Sequence, residues 1–486
     1  MTVLHPLPTI PEAPQGGMWD LLVVGGGTAG LVGARTAASF GASVLMVERD
    51  RPGGDCLWTG CVPSKALLAA ASAAADARAA ARLGVHVDGV RVRFDELMAH
   101  VRGAIATIEP VDSADAMRAA GVEYASGTAT FTGPGSAQVD GTPVLFRQAL
   151  VATGSDPAVP PIPGLADADP LTSDSVWDLT ERPERLVVLG GGTIGCELGQ
   201  AFARLGSTVT IVEALGRLLA NEDADAARLV TEALTRDGVT VLTGTPVTAV
   251  EGADVVLEDG RRITADRVLV AVGRRPDTRD LGLDAAGVET GDRGFVSVDA
   301  HLRTTNPRIW AAGDVTGHPQ FTHVAGVHGS TAGSNAVLGI RRAAQVTAIP
   351  RVTYTSPEVA AVGVAAGTAG TRVRTRHHDE VDRAITEGRT AGFTRLVLDT
   401  RGRVVGATVV GPRAGETLAE LTLAVRRGLR ARDLAGVMHP YPTWGDGAWN
   451  AAVAEVREQL SAPALQRATR TVGAVRRRWL DLRRRR

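Results

Sequence analysis

Two cysteines, Cys56 and Cys61, stand five positions apart in the segment GGDCLWTGCVPSK, residues 53–65. Pro63 and an Ala-rich run over residues 66–81 follow, and they predict a helix whose first turn tolerates proline. Cys61 is therefore expected at or just before a helix N-terminus, where unpaired N–H groups and the helix dipole favour a thiolate. Because a thiolate beside a second cysteine can exchange disulfides, the spacing indicates a redox-active pair.

Two simpler interpretations of these cysteines are a pair of buried structural residues and half of a metal site. The chain has three cysteines, and no Cys or His pair at zinc-ligand spacing accompanies these two, so no metal site is predicted. The third, Cys196, is interpreted as a small packing residue. Residues 1–17 contain four prolines and no basic region, which predicts a loose arm rather than a signal peptide. A structural disulfide is then disfavoured, and a reducing cytoplasm is the expected compartment.

The chain length and the net charge limit the class of protein. A chain of 486 residues predicts two to four domains. A formal net charge of −1 gives no reason to expect a nucleic acid partner. No apolar run approaches the roughly 18–20 residues of a membrane span.

The sequence contains a dinucleotide-binding pattern twice. In the first copy a short apolar strand runs into GGGTAG, a helical stretch, a second strand and an acid; the second copy, with GGGTIG, aligns without a gap at an offset of 165. The glycines allow a tight turn and close backbone approach, the helix N-terminus binds a pyrophosphate, and the acid binds a ribose hydroxyl. Two bound dinucleotides are therefore predicted. The predicted binding residues are Gly25, Gly27, Gly30 and Glu48 in the first copy, and Gly190, Gly192, Ile194, Gly195 and Glu213 in the second.

The position of the two cysteines indicates which dinucleotide each copy binds. The first copy runs directly into Cys56 and Cys61, so it is predicted to hold a flavin that exchanges electrons with them. The second copy is then predicted to hold the nicotinamide dinucleotide. Glu213 favours a free ribose 2′-hydroxyl, hence NADH over NADPH, although Arg217 lies close enough to weaken that preference.

The segment GGDCLWTGCVPSKAL resembles the redox-active segment of the flavoprotein disulfide reductases, the family of dihydrolipoamide dehydrogenase, glutathione reductase and the mercuric reductase core. The resemblance implies a Cys56–Cys61 disulfide against FAD, with Cys61 facing the flavin and Cys56 exchanging with substrate. It also implies an ion pair between Lys65 and Glu197 near the flavin, where the carboxylate limits the cost of burying the cation.

Three further segments resemble parts of the same family. ALVATGS, with Thr153 and Gly154, is similar to the point where the chain leaves the flavin domain, and VLVAVGRRP, with Gly273, repeats that pattern after the nicotinamide domain. TTNPRIWAAGD implies that Asp314 binds the ribityl chain, and QFTH implies that His323 passes the flavin ring. Taken alone, Asp314 would be a helix N-cap and His323 a satisfied core histidine.

From Pro350 onward the chain resembles the family's dimerisation domain, whose last segment completes the partner subunit's active site. Most members place a histidine before Pro-Thr and a glutamate five positions later to orient it, whereas this chain has Tyr441 and Asp446 there. His439 is two residues too early to be equivalent. Since tyrosine has a reference pKa near 10, it is a poor base at neutral pH, which weakens dithiol acid–base chemistry.

Mercuric reductase also carries a tyrosine at this position, which favours that subgroup. This chain lacks the C-terminal cysteine pair of mercuric reductase, so efficient Hg(II) reduction is not expected. Residues 475–486, near the C-terminus, contain seven arginines. They predict either a solvated and partly disordered end, or a segment that contacts an acidic partner or binds weakly to the surface of an anionic membrane.

The predicted fold is α/β, with two doubly wound Rossmann-type domains and a C-terminal α+β domain. The predicted domains are an arm (1–17), an FAD domain (18–155 and 280–348), an NAD(P) domain (156–279), a dimerisation domain (349–465) and a basic tail (466–486). The predicted function is a homodimeric FAD-dependent NAD(P)H oxidoreductase that passes electrons through Cys56–Cys61 to a disulfide, a metal ion or another small acceptor. The alternatives are a quinone diaphorase, a dihydrolipoamide dehydrogenase and a non-catalytic redox sensor.

Overall fold

A computed structural model describes residues 10–14 and 16–484. The chain forms two compact units: one comprises the residues up to Leu218 together with Leu234–Val346, and the other comprises Leu219–Ala233 together with the chain from Thr347. Most of the predicted N-terminal arm, and the last two arginines of the predicted tail, lie outside the described residues. The predicted boundary between an FAD and an NAD(P) domain falls inside the first unit and stays a prediction.

The first unit is built from parallel strands with helices between them. Its strands are β1 (Trp19–Val24), β2 (Val44–Glu48), β3 (Val122–Ser126), β4 (Ala129–Gly133), β5 (Ser136–Val139), β6 (Thr142–Val151), β7 (Ser155–Pro157), β8 (Arg185–Leu189), β9 (Thr208–Glu213), β10 (Thr240–Thr243), β11 (Val247–Glu251), β12 (Asp254–Leu257), β13 (Arg262–Thr264), β14 (Arg267–Val270), β15 (Arg274–Pro276) and β16 (Ile309–Ala311). Its helices are α1 (Thr28–Ser39), α2 (Gly54–Trp58), α3 (Cys61–Ala79), α4 (Phe94–Asp112), α5 (Ala114–Ala119), α6 (Thr193–Arg204) and, after α7 (Ala224–Arg236), which lies mostly in the second unit, α8 (Thr322–Leu338).

The first sheet has the strand order β3-β2-β1-β6-β5-β4, with β16 also paired to β6. β1, β2, β3, β6 and β16 run parallel, while β4 and β5 extend the sheet with antiparallel pairs. Leu21 and Leu22 are both fully buried, which places apolar side chains on both faces of β1. Burial on both faces explains why this strand is a continuous apolar run rather than an alternating one.

The second sheet repeats the βαβ arrangement of the first. It has the order β10-β9-β8-β14 with all pairs parallel, and α6 connects β8 to β9 as α1 connects β1 to β2. A three-stranded antiparallel sheet of β11, β12 and β13 is attached, and β7 pairs with β15. The predicted internal repeat and the α/β class are confirmed.

The second unit has a five-stranded antiparallel sheet in the order β17-β18-β21-β20-β19. Its elements are β17 (Arg351–Thr353), β18 (Glu358–Gly363), β19 (Arg372–His377), α9 (Asp382–Glu387), β20 (Phe393–Leu398), β21 (Val404–Gly411), α10 (Ala414–Arg427), α11 (Ala431–Ala435), α12 (Asp446–Ser461) and α13 (Pro463–Arg484). Leu396 of β20 and Leu418 and Leu421 of α10 are buried in one core, which closes one face of this sheet.

The C-terminal segment differs from its prediction. Residues 463–484 form one helix, α13, so the expectation of a partly disordered end is wrong for the described part of the tail. Its side chains are nevertheless exposed, with none buried. Among the described residues, no helix is both long enough and apolar enough to cross a membrane.

Candidate active site

The two glycine-rich loops have the same backbone geometry. Gly25 and Gly190 have φ angles of +106° and +107°, which L side chains rarely adopt. An added Cβ on Gly30 would come 1.9 Å from the carbonyl oxygen of Gly25, and one on Gly195 would come 1.9 Å from that of Gly190. These contacts allow only glycine, because each helix starts against the turn that precedes it.

The acid of each copy is held by backbone N–H groups at the end of its second strand. The Gly26 N–H donates to Glu48 Oε2 at 2.5 Å, and the Gly191 N–H donates to Glu213 Oε2 at 2.7 Å. Both carboxylates are therefore anchored beside their glycine loops, at the ends of β2 and β9, where a ribose of a bound dinucleotide would lie.

The N-termini of α1 and α6 carry no side-chain cap. Gly27 and Gly192 are the N-cap residues, neither helix has a side-chain cap hydrogen bond, and neither has an acidic residue in its first turn. Ile194 is half-buried in the first turn of α6. Uncapped N–H groups and the helix dipole favour a phosphate anion. Both loops therefore fit the diphosphate of a dinucleotide.

The two cysteines lie on consecutive helices that the segment GGDCLWTGC forms. Cys56 is half-buried in α2, and Cys61 is exposed as the first residue of α3. Their two thiol groups are hydrogen-bonded to each other. This hydrogen bond is the main cause that lowers the pKa of Cys61 to about 6, with a contribution from Thr322, whose hydroxyl lies 3.3 Å from the Cys61 sulfur. The same hydrogen bond and burial raise the pKa of Cys56.

The lowered pKa of Cys61 predicts how the dithiol's reduction potential depends on pH. Below pH 6, reduction of the disulfide takes up two protons, whereas above pH 6 Cys61 stays a thiolate and only Cys56 takes one. The midpoint potential should therefore fall by about 59 mV per pH unit below pH 6 and by about 30 mV per unit above it. Equilibration with thiol buffers between pH 5 and 8 measures this change; a slope of about 59 mV throughout would contradict it.

Lys65 and Glu197 form the predicted ion pair. Lys65 Nζ lies 2.8 Å from Glu197 Oε2, and the Glu197 side chain is only 5% exposed. Lys65 is one helical turn after Cys61 in α3, so its charge lowers the pKa of Cys61, which Glu197 opposes. The pair joins the helix of the second glycine loop to the redox helix, although the two residues are 132 positions apart.

The other predicted cofactor residues lie beside strands β7 and β15, which pair with each other. The Ser155 hydroxyl donates to Asp314 Oδ2 at 2.8 Å. The Thr153 hydroxyl donates to a backbone carbonyl at 2.6 Å. Gly154 and Gly273 have positive φ angles and no neighbouring atom within 4 Å of an added Cβ.

His323 lies in the first turn of α8, and its contact with the flavin stays a prediction. It is exposed and stacked on Phe321, with ring centroids 5.2 Å apart. The neighbouring Thr322, which was not predicted as a site residue, instead makes the contact to Cys61. The sequence signal for Thr322 is its place in the QFTH segment, next to His323.

Arg274 is a second residue that sequence reasoning missed. Its Nε donates to the Ser155 hydroxyl at 2.8 Å and lies 3.9 Å from Asp314 Oδ2, and its terminal nitrogen forms an ion pair with Asp55. Arg274 therefore links the residue before Cys56 to the predicted ribityl-binding carboxylate. The contact spans 219 positions of sequence, so no local pattern announces it.

Cys196 is placed as predicted, in the interior. It is fully buried in α6, its thiol donates to the Gly191 carbonyl at 3.3 Å, and burial raises its pKa. Within the described ranges, no group of three or more His, Cys, Asp or Glu residues is arranged to hold a metal ion.

In the second unit, the Tyr441 hydroxyl pairs with a carboxylate at the start of α9. Its side chain is 72% exposed, and its hydroxyl donates to Asp382, which raises its pKa. Asp446 is buried and accepts a hydrogen bond from the Thr443 N–H at 3.1 Å. Asp446 therefore shapes the turn that carries Tyr441, and its role in catalysis stays a prediction.

His439 lies in the same region and has both ring nitrogens engaged. Its Nε2 is 3.0 Å from Glu420 Oε1, and its Nδ1 is 3.0 Å from the Val437 carbonyl oxygen. This supports the view that His439 does not replace the family's base. Tyr441, Asp382 and His439 line a cleft of about 400 Å³.

Comparison with known proteins matches both parts of the chain. A model of the pyridine nucleotide-disulphide oxidoreductases matches residues 19–329, and a model of that family's dimerisation domain matches residues 349–452. A mercuric reductase of Streptomyces lividans is 39% identical over 448 residues, with 88% of this chain and 94% of the relative covered. A dihydrolipoyl dehydrogenase of Thermus scotoductus is 37% identical over 463 residues, with 90% and 97% covered.

Solved structures agree with this assignment. The crystal structure of LpdA from Mycobacterium tuberculosis superimposes with a TM-score of 0.81 at 29% identity, covering 89% of this chain and 99% of that one. The dimerisation domain supports a homodimer. The predicted resemblance is confirmed: the chain belongs to the pyridine nucleotide-disulphide oxidoreductase family and is an FAD-dependent NAD(P)H oxidoreductase of the kind that reduces disulfide or metal-ion acceptors.

Proposed function

We propose that this enzyme uses the Cys56–Cys61 pair to reduce the disulfide of a small thiol compound. The observation that carries the proposal is the hydrogen-bonded pair of Cys56 in α2 and Cys61 at the start of α3, beside the Lys65–Glu197 ion pair. Bound FAD supplies the two-electron relay between a nicotinamide and this disulfide. The first glycine loop, Glu48 and Asp314 are the groups that would hold it, and the second loop with Glu213 would hold the nicotinamide dinucleotide.

The two thiols divide the exchange chemistry. Cys56 attacks one sulfur of the acceptor disulfide, the acceptor's S–S bond breaks, and one thiol product leaves with a proton. The Cys61 thiolate then attacks Cys56 in the mixed disulfide, which releases the second thiol product and reforms the Cys56–Cys61 bond. In total, two electrons and the Cys56 proton pass to the acceptor, and the second product leaves as a thiolate that takes its proton from the acid proposed below. The low pKa of Cys61 keeps the resolving sulfur ionised at neutral pH.

The number and burial of the cysteines favour one class of acceptor. Relatives include mercuric reductases and a dihydrolipoyl dehydrogenase. The third cysteine of this chain, Cys196, is buried and engaged, so it cannot deliver Hg(II) to the redox pair. We therefore favour a disulfide over Hg(II). Steady-state assays with lipoamide, glutathione, mycothiol and coenzyme A disulfides, Hg(II) and quinones test this; turnover faster with Hg(II) than with every disulfide would overturn it.

Glu213 supports NAD(H) over NADP(H). Its carboxylate is fixed at the end of β9 by the Gly191 N–H, where a 2′-phosphate would meet like charge. We expect kcat/KM to be at least about tenfold higher with NADH, and Glu213→Gln to reduce that ratio by about tenfold. The matched substitution Glu48→Gln, in the first copy, should leave the ratio unchanged. Equal kcat/KM for both coenzymes in the unmodified enzyme would contradict the preference.

Tyr441 of the partner subunit is proposed as the proton donor to the leaving thiolate of the acceptor. Its hydrogen bond to Asp382 raises its pKa, so it stays protonated at neutral pH and serves as an acid rather than a base. Asp446 supports the turn that carries it. The dimerisation domain supports the homodimer on which this arrangement depends.

Removing this hydroxyl should slow disulfide reduction selectively. Tyr441→Phe is expected to lower kcat with a disulfide acceptor by about 100-fold, the usual size of a lost general acid, and to leave quinone reduction unchanged. Tyr124→Phe, in β3 of the first unit, is the control and should retain full activity. A Tyr441→Phe enzyme with unchanged kcat across pH 6–9 would remove the proposed role.

The cytoplasm is proposed as the compartment, because a catalytic disulfide must be re-reduced by a nicotinamide pool.

A further inference from the structure

Helix α13 presents an apolar stripe that no residue in the described part of the chain covers. Its apolar side chains recur at alternating intervals of three and four, which places them on one face of the helix: Leu465, Ala468, Val472, Val475, Trp479 and Leu482. Val472, Val475 and Leu482 are 69%, 63% and 67% exposed. Solvent exposure of such a stripe along a whole helix marks a contact surface.

The rest of α13 is strongly basic. The helix carries seven arginines and a single acidic residue, Asp481. Arg476 and Arg483 stack on the Trp479 ring at 4.3 and 4.4 Å, so they flank the stripe with their guanidinium groups. An apolar face with tryptophan and leucine, bordered by arginines, is the composition of helices that lie in a membrane interface. The arginine stems can cover apolar surface while their charges reach the lipid headgroups.

We propose that α13 binds the surface of anionic phospholipid membranes and holds the enzyme there. The charge complementarity favours lipid over a second copy of this chain, because pairing two such stripes would bring Arg476, Arg478 and Arg483 of each copy together. A planar anionic surface also attracts arginines around the whole helix, since its field reaches about 8 Å at physiological ionic strength. The helix lies on the membrane and does not cross it.

Two features of the chain support this role. The matched family domains end at residue 452, so α13, which starts at Pro463, is an addition to the catalytic body. Because the dimerisation domain supports a homodimer, each enzyme carries two such helices, and simultaneous binding of both strengthens attachment without new contacts. The inference is independent of which acceptor the redox pair reduces.

The experiment is co-sedimentation of the full-length holoenzyme with vesicles. Intact enzyme is expected to sediment with mixed phosphatidylcholine and phosphatidylglycerol vesicles, to stay in solution with pure phosphatidylcholine, and to be released by high salt. A triple variant, Arg476→Gln, Arg477→Gln and Arg478→Gln, should bind at least tenfold more weakly, and so should Val475→Ser combined with Trp479→Ser. The control Arg91→Gln, Arg93→Gln and Arg102→Gln removes the same charge from exposed positions elsewhere and should bind normally.

Circular dichroism and NADH turnover of each variant establish that it is folded, and both should match the unmodified enzyme. Failure of the intact enzyme to sediment with anionic vesicles would overturn the proposal. So would vesicle binding that both α13 variants retain. A change in oligomeric state on Val475→Ser and Trp479→Ser, without a change in vesicle binding, would assign the stripe to contacts between copies and also overturn it.

Discussion

Replacement of Cys61 by serine is expected to abolish NADH-driven reduction of disulfide acceptors, by at least about 1,000-fold, while the protein stays folded and flavin-bound. Serine cannot form the Cys56–Cys61 bond, so Cys56 alone would stop at the mixed disulfide with the acceptor. Steady-state rates and mass spectrometry of the trapped adduct measure both effects. Cys61 also provides the thiolate nearest Lys65, which serine at neutral pH does not replace.

Cys196→Ser is the matched control, because it makes the same substitution at a buried cysteine whose thiol donates to the Gly191 carbonyl. A serine hydroxyl can make that hydrogen bond, so activity should be retained. Disulfide turnover that persists in the Cys61→Ser enzyme would contradict the proposed chemistry. Loss of disulfide turnover with retained quinone turnover would show that quinones take electrons without the cysteine pair.

The second large effect is expected at the third glycine of each loop. Gly195→Ala should give a protein that keeps its flavin but whose KM for NADH rises at least about tenfold, because the new Cβ would lie 1.9 Å from the Gly190 carbonyl oxygen. The start of α6 must then move away from β8, which displaces the N–H groups that face the diphosphate. Gly30→Ala should instead yield a protein that purifies without flavin.

Gly103→Ala is the control for both substitutions. Gly103 lies in α4 with no atom within 4 Å of an added Cβ, and alanine has the higher helix propensity, so stability should be unchanged or slightly raised. Flavin absorbance of the purified proteins and NADH saturation curves give the readouts. A Gly195→Ala enzyme with an unchanged KM for NADH would mean that this loop does not hold the nicotinamide dinucleotide.

The local parts of the site could be predicted from the sequence because their constraints are local. Gly30 and Gly195 are each fixed by a contact with a glycine only five positions earlier, and their shared spacing to Glu48 and Glu213 revealed the repeat. Cys61 could be placed at a helix start from Pro63 and the Ala-rich run that follows it. The Lys65–Glu197 pair spans 132 positions and was expected only because of the family resemblance.

The parts that could not be predicted are contacts between distant segments. Asp382 is 59 positions from Tyr441, and Thr322 is 261 positions from Cys61, so no periodicity brings either pair together. Strand β19, with the sequence RVRTRH, was also missed, because its arginines hide the alternation; Arg374 pairs with the buried Glu455 instead of facing water. In α13 the arginines similarly hid an apolar spacing that was present throughout.

A count of free thiols tests the central claim most directly. The oxidised holoenzyme, denatured and treated with a thiol reagent without reductant, should show one thiol per chain, from Cys196. After anaerobic addition of NADH it should show all three of the chain's cysteines as thiols. Three thiols before reduction, or no increase after it, would contradict an electron path through Cys56 and Cys61.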